Sequence, residues 1–178
     1  MRQLVTQASF TAEPLAELKT WLAISGTRDD AVLLDLLAAA TLVCESFTGL
    51  VPLKSTVTET LPATGEWQAL HTRPFVGPGI AEGIAADGTR RMLDPADYAV
   101  ELCSDGGRFR LTASIPVPQV AVTFDLGLAE DWAALDSGLR HGIVRCAAHQ
   151  YRERDRGGDT ALPAAVAALW RPWRRLRL

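Results

Sequence analysis

Apolar residues recur every three or four positions near both ends of the chain and every second position in its middle. This change of period sets the first division of the sequence. Residues 1–10 keep no period and are expected to form a loose arm. A helix is predicted from about 12 to 24, where Leu15, Leu18 and Leu22 share one face and Glu13 and Pro14 suit the first turn. Gly26 in "SGTRDD" ends it. Thr27 and Asp30 then have the spacing of a capping box, with the acids well placed at a helix start. The second helix runs to about Thr48 along the stripe Leu33, Leu36, Leu37, Ala40, Cys44 and Phe47. Gly49 suits the left-handed residue that closes such a helix.

From Val51 to about Leu126 the apolar residues come in short alternating runs: "STVTETL", "WQALHTRPF", "YAVEL", "RFRLTA" and "QVAVTFDL". They predict five or six short strands, an antiparallel β insertion. "AADGTR" and "CSDGGR" are hairpin signals, because Asp-Gly pairs tolerate the positive φ of tight turns. Pro62, Pro74, Pro78, Pro95, Pro116 and Pro118 hold the strands to short lengths.

Helical spacing returns at about Glu130, with Leu135, Leu139, Ile143, Cys146 and Gln150 or Tyr151 on one face. Gly138 and Gly142 each weaken that helix by about 1 kcal/mol relative to alanine, and are expected to mark close packing against the second helix. "RGGD" ends it, and a short alanine-rich helix follows over about 162–170. The expected class is α+β: an antiparallel helical bundle with an inserted small antiparallel β domain. The expected layout is a single domain over 1–178, with a helical hairpin at 11–49, the β insertion at 51–127, closing helices at 129–169 and a C-terminal docking arm at 170–178.

Composition supports a globular chain of 178 residues, 48% apolar and 22% charged. A chain of this size buries about 70% of its unfolded surface without staples. Cys44, Cys103 and Cys146 are odd in number and far apart, which reads as three reduced thiols of a cytoplasmic product. No N-terminal apolar leader and no run long enough to span a bilayer is expected. The net charge of −3 hides an asymmetry. Residues 1–139 hold nine Lys and Arg against eighteen Asp and Glu, whereas residues 140–178 hold nine arginines against three acids. Such poles suggest two different neighbours.

Catalytic signals are absent: no HExxH, G-x-S-x-G, P-loop or GxGxxG occurs, and no nucleophile–base–orienter set can be assembled. No enzyme, cofactor or metal is expected. Cys146 and His149 could be two zinc ligands, but a structural site needs four, and Cys103 or His71 would have to converge on them. His141, Arg145, His149, Arg152 and Arg156 are spaced 4, 4, 3 and 4 and stack on the third helix opposite its apolar stripe. They read either as a solvated face or as a strip facing a neighbouring subunit, an acidic partner or a nucleic-acid channel. The terminal "LWRPWRRLRL" places Trp170, Arg171, Trp173, Arg174, Arg175 and Arg177 together. Exposed tryptophan favours leaving water, and Trp and Arg are the residue types enriched at interface hot spots, so this segment is expected to dock on a partner. Pro172 and the scarcity of apolar residues argue against a membrane.

The ordered set of motifs resembles the head–tail connector (adaptor) family of tailed phages. "LAELKTWLAI…RDDAVLLDLLAAATLVCESFTG" is similar to the family's N-terminal helices and its aromatic-Thr-Gly ending. "LDPADYAVEL", "RFRL" and "VAVTFDLGLAEDW" look like the longer branch that carries a β insertion, and "LRHGIVRCAAHQYRERD" like its closing helix. The branch's usual "T-F-x-A-G-Y" reads "TFDLGL" here, without the tyrosine. The likeness spans about 13 to 173. Preference for Arg over Lys and frequent Ala point to a tailed phage or gene transfer agent of a GC-rich bacterium. The resemblance implies a ring, commonly of twelve subunits, beneath the portal protein at the DNA exit vertex. Such a ring extends the channel for DNA that passes without sequence recognition, and presents a surface to a stopper or other neck or tail protein. It implies a C-terminal segment that reaches the portal, here Trp170 to Leu178, and a location in the particle neck after assembly from the host cytoplasm. The competing class is a DNA-binding regulatory protein that uses the third helix and the tail. The acidic main body disfavours it.

Overall fold

The computed structural model describes residues 2–6, 10, 12–77, 79–103, 106–154 and 162–174. Four helices and antiparallel sheets give the α+β class read from the sequence. The chain divides into two compact units, Met1–Gln7 with Lys54–Gly127 and Ala8–Leu53 with Leu128–Leu178.

The helical unit holds α1 (Ala12–Leu22), α2 (Asp30–Thr48), α3 (Ser137–Glu153) and α4 (Ala164–Trp170), the last running into a 3-10 turn at Arg171–Trp173. Its core joins Leu18 of α1, Leu33, Leu37, Ala40 and Cys44 of α2, Leu139, Ile143, Cys146 and Ala147 of α3, and Val166 and Trp170 of α4. Gly49 closes α2 in the left-handed region at φ 76°, its N–H donating to Glu45 O at 2.7 Å.

Three local expectations are corrected here. α1 stops at Leu22, short of Gly26, because Ala23 turns the chain at φ 58° and Ile24 N donates back to Lys19 O at 2.9 Å. The Thr27–Asp30 capping box does not form: Asp29 is the cap residue and makes no side-chain cap bond. The acids serve tertiary contacts instead, Asp30 with Lys19 Nζ at 2.7 Å and Asp29 with the Tyr151 hydroxyl at 2.8 Å. α3 begins at Ser137 rather than near Glu130, because Asp136 caps it by accepting from Gly138 N and Leu139 N. Residues ahead of the cap turn irregularly and sink Trp132 and Leu135 into the core.

α2 also corrects the expectation about bilayer-length segments. By length and composition alone this 19-residue helix could cross a membrane. Its stripe of Leu33, Leu37, Ala40 and Cys44 lies instead in the core of the unit.

The sheet unit has a five-stranded antiparallel sheet in the order β1-β2-β8-β4-β5 and a three-stranded one in the order β3-β7-β6. The strands are β1 (Arg2–Thr6), β2 (Ser55–Pro62), β3 (Gln68–Ala69), β4 (Ile80–Ile84), β5 (Arg90–Met92), β6 (Tyr98–Cys103), β7 (Gly106–Leu111) and β8 (Gln119–Leu126). The predicted Asp-Gly turn at 87–88 joins the paired strands β4 and β5; Asp105 of the other lies outside the described residues, between the paired strands β6 and β7. Val57 faces Phe124 and Leu61 faces Val120 across β2 and β8, and the Thr58 and Thr123 hydroxyls meet at 2.7 Å.

The loose N-terminal arm is corrected: Arg2–Thr6 is a strand, with Leu4 opposite Val57 of β2. "WQALHTRPF" is also not a full strand. Only Gln68–Ala69 forms a strand, Phe75 makes a single antiparallel bridge to Leu126, and Pro74 between them has no N–H to donate to a ladder. The loop is held by Glu59, a carboxylate with 4% exposure that accepts from His71 N at 2.9 Å, Thr72 N at 2.7 Å and the Thr72 hydroxyl. A buried charge is tolerated when its lone pairs are filled in this way.

Candidate docking surfaces

The two residue sets singled out in the sequence both fall in the helical unit, and the structure treats them differently. Trp170 has no exposed surface. Its ring packs on Gly142 of α3 and lies 6.0 Å from the Phe47 ring, and its Nε1 donates to Leu139 O at 3.3 Å. A Cβ on residue 142 would fall inside the Trp170 indole. The small residue on α3 therefore makes room for α4, not for the second helix as expected. A side chain with no accessible area has none to give a partner, so Trp170 is a core residue of its own unit.

The chain beyond it stays closer to the surface. Arg171 and Arg174 are exposed and Trp173 is half-buried against the core. The Arg174 guanidinium sits 5.2 Å over the Phe47 ring. Arg175 and Arg177 lie outside the described residues, as does Arg156 of the predicted basic strip.

The rest of the strip is brought together on α3. His141, Arg145 and His149 are half-buried and Arg152 is exposed. Sequence spacing did not include their neighbour Trp21, the end of α1, whose helical period sets it off the Leu15–Leu18–Leu22 face. Trp21 is 42% exposed. His141 meets its ring edge-on at 5.1 Å, and the Arg145 guanidinium lies 5.8 Å from its centroid. Arg140 beside them pairs with Glu17 at 3.5 Å. The result is an aromatic ring flanked by an imidazole and a guanidinium, suited to an acidic or carbonyl-rich partner.

Among the described residues no group of three or more His, Cys, Asp or Glu could hold a metal ion. Burial pushes the Cys44 thiol up to about 12 and the Cys146 thiol up to about 11, which suits inert core thiols rather than nucleophiles. The Tyr151 hydroxyl is also held above its ordinary value, chiefly because it donates to Asp29.

The fold is that of an α+β chain of two units, the helical one carrying Trp21 with His141 and Arg145 on its surface. No protein-family model and no curated protein matches the sequence. Solved structures do match it over its whole length. One is a chain of the "Neck of empty GTA particle computed with C6 symmetry", with TM-score 0.81 and 26% identity, covering 100% of this chain and 97% of that one. Two more are chains of the "Virion of native gene transfer agent (GTA) particle" and of the "Neck of native GTA particle computed with C12 symmetry". Each has TM-score 0.78 and 27% identity at the same coverage.

Proposed function

We propose that this chain is a structural neck protein of a tailed-phage-like particle or gene transfer agent, acting as its head–tail connector, or adaptor. In this reading copies of the chain form a ring beneath the portal protein, extend the channel through which DNA passes, and offer a surface to the next neck or tail protein. No step of the role calls for chemistry. The observation that carries the reading is the full-length likeness, at 26% identity and TM-score 0.81, to a chain of a particle neck. The family resemblance in the sequence points the same way independently of that likeness. A ring of twelve fits the C12 symmetry of one of the similar necks.

The docking arm is redrawn from the site geometry. With Trp170 committed to the core, the portal-facing set becomes Arg171, Trp173, Arg174, Arg175 and Arg177. A tryptophan with several arginines supplies buried area and charge-assisted contacts for such docking. The test removes residues 175–178, leaving Trp170, its packing and the Arg174–Phe47 contact intact. Recruitment of the truncated chain to portal-bearing heads should fall sharply while its melting temperature stays unchanged. Normal recruitment would overturn the arm's role. Tight binding to plain duplex DNA with a steep salt dependence, in the absence of heads, would favour a DNA-binding protein instead.

A further inference from the structure

A ring built from one kind of subunit needs two different patches on each copy, since head-to-tail contacts are heterologous. The helical unit carries two such patches, and they are complementary. The first is the outer face of α2. Only Leu33, Leu37, Ala40, Cys44 and Thr48 of its nineteen residues are buried. On the opposite side Val32, Asp35, Ala39, Leu42 and Ser46 follow one another at steps of three and four, the spacing of a helix-packing seam. Val32 is 43% exposed and Leu42 52% exposed. Asp35, exposed between them, has no hydrogen bond or ion pair among the described residues. The second patch is Trp21 with His141 and Arg145. Among the described residues Arg145 has no anionic partner, and it stacks on the Trp21 ring.

We propose that the outer face of α2 is covered by a second copy of this chain, whose Trp21–His141–Arg145 patch seats on Val32 and Leu42 while Arg145 pairs with Asp35. The inference rests on the ring of the proposed function and names its contact. Three features choose this occupant. The acid of the apolar seam meets a cation that has no anionic partner among the described residues. An exposed Trp meets two exposed aliphatic residues, an anchor typical of interface hot spots. The two patches lie on different helices, α2 against α1 and α3, so each copy can offer both at once and the contact propagates around a ring instead of ending at a dimer.

The experiment uses particles assembled with the full chain. A variant carrying Asp35→Cys and Arg145→Cys, with Cys103→Ser to remove the half-buried thiol, is oxidised in assembled necks. It should give a ladder of disulfide-linked multimers, and each single cysteine variant should give none. In parallel, Asp35→Arg or Arg145→Asp alone should cut incorporation into necks about tenfold or more, as expected when a desolvated charge faces its like. The two together should restore it. If the unaltered chain enters necks but no ladder forms and the charge swap rescues nothing, the contact is wrong and the connector role stands. If the unaltered chain is absent from necks, the connector reading fails and takes this contact with it. Dimers from Asp35→Cys alone would mean that α2 pairs with α2, which overturns the proposal. So would flotation of the unaltered chain with phospholipid vesicles that is lost in Leu42→Glu, since the seam would then belong to a membrane.

Discussion

Replacing Gly142 with alanine should destabilise the protein, against the usual direction for a helical glycine. In an open helix the change stabilises by about 1 kcal/mol, because alanine has less backbone entropy to lose. Here the new methyl would coincide with the Trp170 indole, a ring with no exposed surface and with Phe47 6.0 Å away. Rotation of the methyl cannot relieve this, so the ring or the whole of α4 must shift. Overpacking of that kind costs about 1–3 kcal/mol. The shift also strains the bond from Trp170 Nε1 to Leu139 O, a buried pair whose loss costs about 1 kcal/mol. With the propensity gain set against the lost bond, the net expectation for Gly142→Ala is a destabilisation of about 1–3 kcal/mol. Trp170→Ala alone should cost about 3–5 kcal/mol. Once the indole is gone the methyl has room, and Gly142→Ala in the Trp170→Ala background should become neutral or mildly stabilising. The sign reversal is a coupling energy of about 3 kcal/mol between the two positions, well beyond what independent sites show. Urea unfolding followed by helical circular dichroism on the four proteins of this cycle measures it. If Gly142→Ala is harmless in the parent, or if the two changes add, the packing of α4 on α3 is not as described.

Other expectations follow from single contacts. Ala23→Gly should stabilise the protein by about 0.5–1 kcal/mol, because Ala23 holds a left-handed φ of 58° that costs a side-chain-bearing residue about 1–2 kcal/mol; thermal melting reads the gain. Glu59→Ala should cost about 2–4 kcal/mol, since it strips the acceptor from His71 N, Thr72 N and the Thr72 hydroxyl. Faster hydrogen exchange at residues 71 and 72 should accompany it. The Cys44 and Cys146 thiols sit at about 12 and about 11 in the folded state, above the ordinary value of 9.0. The folded state therefore keeps these protons to higher pH than the unfolded one. Their contribution to stability is complete below pH 9.0 and is lost as pH rises through about 11 and 12. Denaturation across that range should show the decline, reduced in a Cys44→Ala, Cys146→Ala protein.

Much of the backbone could be read from local chemistry. α2 was visible because its core stripe and Gly49 lie within one continuous segment, and the Asp-Gly hairpins because turn residues act on their own neighbours. β1 was not visible: five residues at the chain start acquire strand character only by pairing with β2, more than fifty residues away. The start of α2 misled for a similar reason. Asp29 and Asp30 look like caps locally, but Tyr151 and Lys19 claim them through tertiary contacts. Trp170 was the larger misreading. Its place among arginines at the chain end resembles a free anchor, and only the cleft at Gly142 shows that the unit keeps this tryptophan for itself. Trp21 was missed because a basic strip read along one helix omits what a second helix lays across it.

The most direct test of the neck role is a symmetry-averaged density map of the neck in particles assembled with this chain. The expected map holds a closed ring of the chain next to the portal, with residues after Trp173 in contact with it. Intact particles that lack the chain, or hold it away from the neck, would contradict the role.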